Sequence, residues 1–157
     1  MTTTERARRQ IIRLSHTNGN VVVEPEDEDR FVMTAQSAVQ ACQDTHRHEE
    51  AIRTFKKEIL QPLIEWCDSH SSQVQACYIP VPVGHIEVFM VGRSSAYDFD
   101  LGRALSELEL RIAETGWRVN VLQLPAAASE DIQTYFNTEG ALEVYAQLPP
   151  ASGQGQP

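Results

Sequence analysis

The chain has 157 residues, 41% of them hydrophobic, with 22 acidic against 13 basic side chains and a net charge of −9. That length suits one domain with a real core, and the apolar fraction excludes a chain disordered throughout. No run approaches the roughly 18 apolar residues of a membrane span. The acid excess argues against nucleic acid, whose phosphates are bound by lysine and arginine.

The opening MTTTERARRQ carries four charges and leads into no apolar run of leader length, so a cytoplasmic protein with no membrane partner is expected. Arg6, Arg8, Arg9 and Arg13 form the main basic cluster, and the acids from Glu24 to Asp29 follow closely enough to offset its field. Residues 9–25 then read as a β-hairpin. Two β-prone runs, RQIIRLS and NVVVEP, flank an Asn18-Gly19 turn, and both turn residues tolerate positive φ. EPEDEDR follows as a like-charged, mobile connector.

From Thr34, read as a helix cap, the period becomes helical, with Ala35, Ala38, Val39 and Cys42 on one side. The polar segment QDTHRH interrupts it. A second helix, about Glu49 to Ser69, places Ile52, Phe55, Ile59, Leu60, Leu63 and Cys67 at spacings of three and four. Pro62 lies inside that pattern and predicts a kink or a restart.

QACYIPV and HIEVFMV form a strand pair joined at Pro82-Val83-Gly84, with Pro80 marking an edge. A third helix spans Asp98 to Thr115 on the stripe Leu101, Ala104, Leu105, Leu108 and Ile112, and Gly116 stops it. Glu107 and Arg111 form an i, i+4 pair on its outside. WRVNVLQL is a strand. A fourth helix capped by Ser129 ends at Gly140, and ALEVYAQL is a last strand. The expected fold is therefore α/β: a small mixed sheet with a β-β-α-β-α-β core from residue 75, a preceding helix pair and an N-terminal β-hairpin. The domain plan is an N-terminal hairpin or arm with its connector over 1–30, one α/β domain over 31–148, and a disordered tail over 149–157.

In open α/β sheets ligands sit beyond the carboxyl ends of parallel strands. Two loops meet that rule, Gly92–Asp98 and Pro125–Ser129. The candidate site is accordingly the Arg93–Asp100 edge, with Arg93, Ser94, Asp98 and Asp100 as its candidate catalytic residues. Gly-Arg-Ser-Ser lacks the glycine spacing of a phosphate loop, and two carboxylates outweigh the half charge of the helix end. Asp98 and Asp100, loosely like the paired acids of nucleotidyltransferase sites, would open a helix and not a strand, about 200° apart. Helix capping explains both without a ligand.

The cluster His46, His48, Glu49 and Glu50 lacks the HExxH spacing and reads as a polar connector; His70 and His85 read as surface residues. The three cysteines, Cys42, Cys67 and Cys77, make no CxxC pair and read as buried, reduced and inert. No cofactor motif and no metal site are expected. Two functions remain. The first is an interaction or regulatory module working through a surface, by self-association or with a protein partner. The second is a small metal-assisted enzyme or ligand-binding domain using the Arg93–Asp100 edge.

Overall fold

A computed structural model describes residues 11–42, 48–82, 84–137 and 140–147. The N-terminal hairpin forms as read. Strand β1 (Ile11–Thr17) and strand β2 (Asn20–Val23) pair antiparallel around Asn18 and Gly19, both at positive φ. β1 also pairs in parallel with the last strand, β6 (Ala141–Ala146), so the hairpin forms one edge of the main sheet.

The acidic segment is ordered, contrary to its reading as a mobile connector. Pro25–Asp27 make one 3₁₀ turn, and helix α1 begins at Glu28 and runs to Cys42. Acidic side chains favour a helix start because they meet the positive end of its dipole. Asp27 is buried and pairs with Arg30 at 3.1 Å. Thr34 therefore lies inside the helix and caps nothing. Its hydroxyl is buried and donates to the Gly140 carbonyl at 2.9 Å, tying α1 to the start of β6.

The second helical segment is continuous from His48 to Ser69 but changes pitch. Helix α2 (His48–Phe55) passes through a π turn (Lys56–Leu60) into helix α3 (Gln61–Ser69). Pro62 is the cause. Its ring collides with the carbonyl four residues back and it offers no N–H, and a wider turn just upstream relieves both problems. Gln61 accordingly donates to the carbonyl of Lys56.

Strands β3 (Val74–Ile79) and β4 (Ile86–Gly92) pair antiparallel, as their sequences indicate. Pro80 does not mark an edge. β3 lies between β6 and β4, and it ends at Ile79, one residue before a donor would be missing. Helix α4 (Phe99–Ala113) then leads to β5 (Val119–Leu124), parallel to β4. The predicted fourth helix is one turn, α5 (Ser129–Ile132), with Ala128 and not Ser129 at its N-cap position. Gly140, at positive φ, opens β6 instead of closing that helix.

The mixed six-stranded sheet has the order β2-β1-β6-β3-β4-β5. One face lies under α1, α2, α3 and α4. There Ile12, Ile79, Ile86, Val88, Met90 and Leu142 meet Phe31, Phe55, Leu63 and Leu108 in one core. The other face carries a smaller cluster of Ala76, Tyr78, Phe89, Val91 and Leu124, roofed by Ile132 and Phe136. Two β-bulges set which residue faces where. An extra residue, Gln75, sends Val74 to the helix side and Ala76 to the other. An extra residue in β6 turns both Val144 and Tyr145 toward the helices and leaves Glu143 opposite Tyr78. Among the described residues no helix is long and apolar enough to cross a membrane.

Candidate functional site

The loops singled out at the carboxyl ends of β4 and β5 do meet, because those strands are parallel neighbours. Ala126 N–H donates to the Ser94 carbonyl at 2.8 Å. The polar groups there are engaged with their own backbone. Asp98 caps α4, its Oδ1 accepting from Asp100 N–H at 3.0 Å and Leu101 N–H at 3.1 Å. The backbone of Asp98 is clasped by the Gln123 amide through two hydrogen bonds, at 2.8 and 2.9 Å. Ser94 Oγ accepts from Ala96 N–H. Arg93 reaches away to the Ser71 carbonyl at 2.8 Å. Arg93, Ser94 and Asp100 are exposed and Asp98 half-buried; Arg93 and Ser94 lie in the loop after β4, Asp98 caps α4, and Asp100 stands in its first turn.

Of the histidine cluster, His46 lies outside the described residues, and Glu49 and Glu50 are exposed in the first turn of α2. Among the described residues no group of three or more His, Cys, Asp or Glu is placed to hold a metal ion. Cys67 and Cys77 are buried and free. The Cys67 thiol beside Cys77, together with burial, holds the Cys77 thiol well above its ordinary pKa, so it stays protonated and unreactive. The side chain of Cys42 lies outside the described residues.

A cleft of about 530 Å³ opens elsewhere, between the π turn and α3 on one side and α4 on the other. The volume is typical of a binding pocket. The first wall presents Glu58, Pro62, Glu65, Trp66 and His70; the facing wall presents Glu107, Leu108, Arg111 and Ile112. Both walls repeat at three and four residues, the spacing of one helix face. The helices flank the cleft because α4 packs chiefly on β5, while Trp117 occupies the space beside the π turn. That indole is buried, meets Phe55 edge-on at 6.0 Å, and donates to Glu58 Oε2 at 2.5 Å.

His70 is not simply a surface residue. Its ring stacks on Trp66 with centroids 3.9 Å apart, and its Nδ1 lies 2.8 Å from the Trp66 carbonyl. Sequence reasoning found Glu107, Arg111 and His70 but not their neighbourhood, since the walls lie about forty residues apart in the chain. The available signal was a polar flank beside each apolar stripe: Glu58, Glu65 and Ser69 on one segment, and Glu107 and Arg111 on α4.

A second surface lies on the solvent side of α4. Phe99 is 78% exposed, Leu110 68% and Tyr97 58%. Tyr97 and Phe99 touch edge-to-face at 5.0 Å, and the Tyr97 hydroxyl lies over Gly102, where a β-carbon would come within 2.3 Å of it. Below this surface β5 forms the sheet edge, and Glu109 Oε2 accepts from its Val121 N–H at 2.9 Å. The carboxylate stands where a further strand would pair. No protein-family model, curated protein or solved structure matches this chain.

Proposed function

We propose that this protein is an interaction module that acts by self-association, with the solvent side of α4 as its contact surface. The observation that carries the reading is the exposure of Phe99, Leu110 and Tyr97 on one helix and its entry loop. Tyr97 and Phe99 form one exposed aromatic pair and Leu110 lies about three turns farther on the same line of the helix, and large apolar side chains aligned in water suit a contact site.

A second copy is the occupant that the spacing favours. Phe99 and Leu110 are eleven residues apart, which places them on nearly one line of the helix about 16 Å from each other. Two α4 helices packed antiparallel about a two-fold axis near Arg103–Ser106 set Phe99 of each copy against Leu110 of the other. The contact is isologous, each copy offering the same line of residues to the other. Glu109 on Val121 opposes the competing mode, edge-to-edge pairing of β5. A cytoplasmic setting accompanies this reading, since buried free thiols suit a reducing compartment.

Light scattering of the full chain over a concentration series tests the proposal. A dimer is expected, weakened at least about tenfold by Phe99→Asp or Leu110→Asp. A chain that stays monomeric throughout, or a dimer indifferent to both substitutions, overturns it. The alternative use of the Arg93–Asp100 edge rests on the meeting of the two loops, Ser94 with Ala126. A melting temperature raised by magnesium, manganese or zinc, with the rise lost in Asp98→Ala, would favour that edge.

A further inference from the structure

We infer that the cleft between α3 and α4 binds a basic amphipathic segment of a partner protein, through lysine or arginine side chains set beside apolar ones. This site is separate from the solvent side of α4 and does not depend on self-association.

Three observations carry the inference. The first is shape: the cleft is long, bounded by two helices, and holds about 530 Å³. Helix pairs that leave an apolar trough between them commonly receive an amphipathic segment. Trp66, Leu108 and Ile112 supply the apolar surface, and all three are largely buried already, so they form a floor and not projections.

The second is charge. Glu58, Glu65 and Glu107 line the cleft against Arg111 alone. Glu58 is committed to the Trp117 indole, and Glu65 takes only a long contact of 3.4 Å from Gln61. The two helices run antiparallel, because α3 precedes β3 and α4 follows the antiparallel β4. Glu65 stands on one wall, and Glu107 and Arg111 stand on the other. Three carboxylates against one guanidinium leave the lining net negative, and a cation entering the cleft gains charge-assisted hydrogen bonds.

The third is the balance of donors and acceptors. His70 Nδ1 sits 2.8 Å from the Trp66 carbonyl and donates there, so that nitrogen is not offered to the cleft. Ser69 Oγ already donates, to the Glu65 carbonyl at 3.0 Å, and so has its lone pairs to offer. With Glu65 and Glu107, the cleft is rich in acceptors and offers Arg111 as its charged donor. The chemistry that fits is a donor-rich cation on an aliphatic stem, which is the side chain of lysine or arginine.

The experiment uses a fluorescent 18-residue helical peptide of leucine and lysine, with the lysines flanking a leucine stripe, and its leucine–glutamate counterpart. Polarisation is read on the full-length chain at low and at physiological salt. The lysine peptide is expected to bind, with affinity falling as salt rises, and the glutamate peptide is not. Glu65→Lys should weaken binding at least tenfold, while Glu130→Lys on α5, which changes net charge by the same amount, should leave it unaltered. Ser69→Trp, which fills the cleft without changing charge, should also abolish binding. Equal losses in the Glu65 and Glu130 variants would mean general attraction to an acidic protein and would overturn the inference. So would an unaltered affinity in Glu65→Lys or in Ser69→Trp, or no binding by the parent chain. The light-scattering mass of Glu65→Lys should match the parent, which separates this result from the self-association reading.

Discussion

On the helix-covered side of the sheet, Ile12, Ile79, Ile86, Met90 and Leu142 have no exposed surface at all, and four helices close over them. On the opposite side the roof is Ile132 and Phe136, from a segment with a single helical turn, set over Tyr78, Phe89 and Val91. Phe136 stacks on Phe89 with centroids 4.9 Å apart and lies 5.6 Å from Tyr78. Farther along, toward β6 and β1, that side becomes polar: Glu143 shares a small recess of about 160 Å³ with Arg13, Ser15 and Glu24. The first side holds the larger core and is expected to contribute more to stability than the second.

The sharpest probe of that contrast is Leu142→Ala. It removes a fully buried side chain from the larger core and should cost about 2–5 kcal/mol, with a cavity left behind; urea unfolding followed by circular dichroism measures it. Phe136→Ala removes a half-buried ring from the thin roof and should cost less, about 1–3 kcal/mol, since only part of its area leaves water. If the second loss equals the first, the two sides contribute alike and the contrast fails.

The smallest effect should come from Glu143, and it depends on pH. Burial is the main influence and raises its carboxyl above the ordinary 4.5, the Arg13 guanidinium lowers it, and the Glu24 carboxylate raises it again. With the folded pKa above the unfolded one, the folded chain binds the proton more tightly. The stabilising contribution is complete below about pH 4.5 and is lost as pH rises through the folded value. Glu143→Gln should therefore flatten the dependence of melting temperature on pH above that point, relative to the parent chain. A variant whose profile runs parallel to the parent would show that solvent in the recess screens Glu143 fully. Tyr78, opposite Glu143 in the register, has its phenol pushed up to about 12, first by burial and then by the neighbouring carboxylate.

How much of this was legible in the sequence follows from the range of each interaction. Helix α4 was legible because its cap, stripe and stop are all local: Asp98, the run Leu101–Leu105–Leu108–Ile112, and Gly116. The start of α1 was not, since Glu28 and Asp29 look like a charged linker until the helix dipole is considered. The place of β6 between β1 and β3 depends on pairings more than sixty residues apart, which leave no local mark. The bulges were also hidden: an alternation read straight through β6 turns Ala146 inward, yet it is exposed. For the candidate loops, the capping role of Asp98 was legible, because its partners are the next residues of α4; the turn in which Ser94 Oγ accepts from Ala96 N–H was not. The cleft required two helix flanks to face each other, a tertiary fact.

The π turn at Lys56–Leu60 has a consequence for the history of the chain. A π turn holds one residue more than an α turn, and by widening it absorbs the roughly 100° by which that residue would otherwise rotate everything beyond it. Upstream, Ala51 and Phe55 point into the core; downstream, Leu63 and Cys67 do the same, and Trp66 turns toward the cleft. A straight helix could not align both sets from this spacing. A relative with a regular helix here and a single-residue gap within 56–60 would keep both halves on their present faces, whereas one of equal length would have to repack one half.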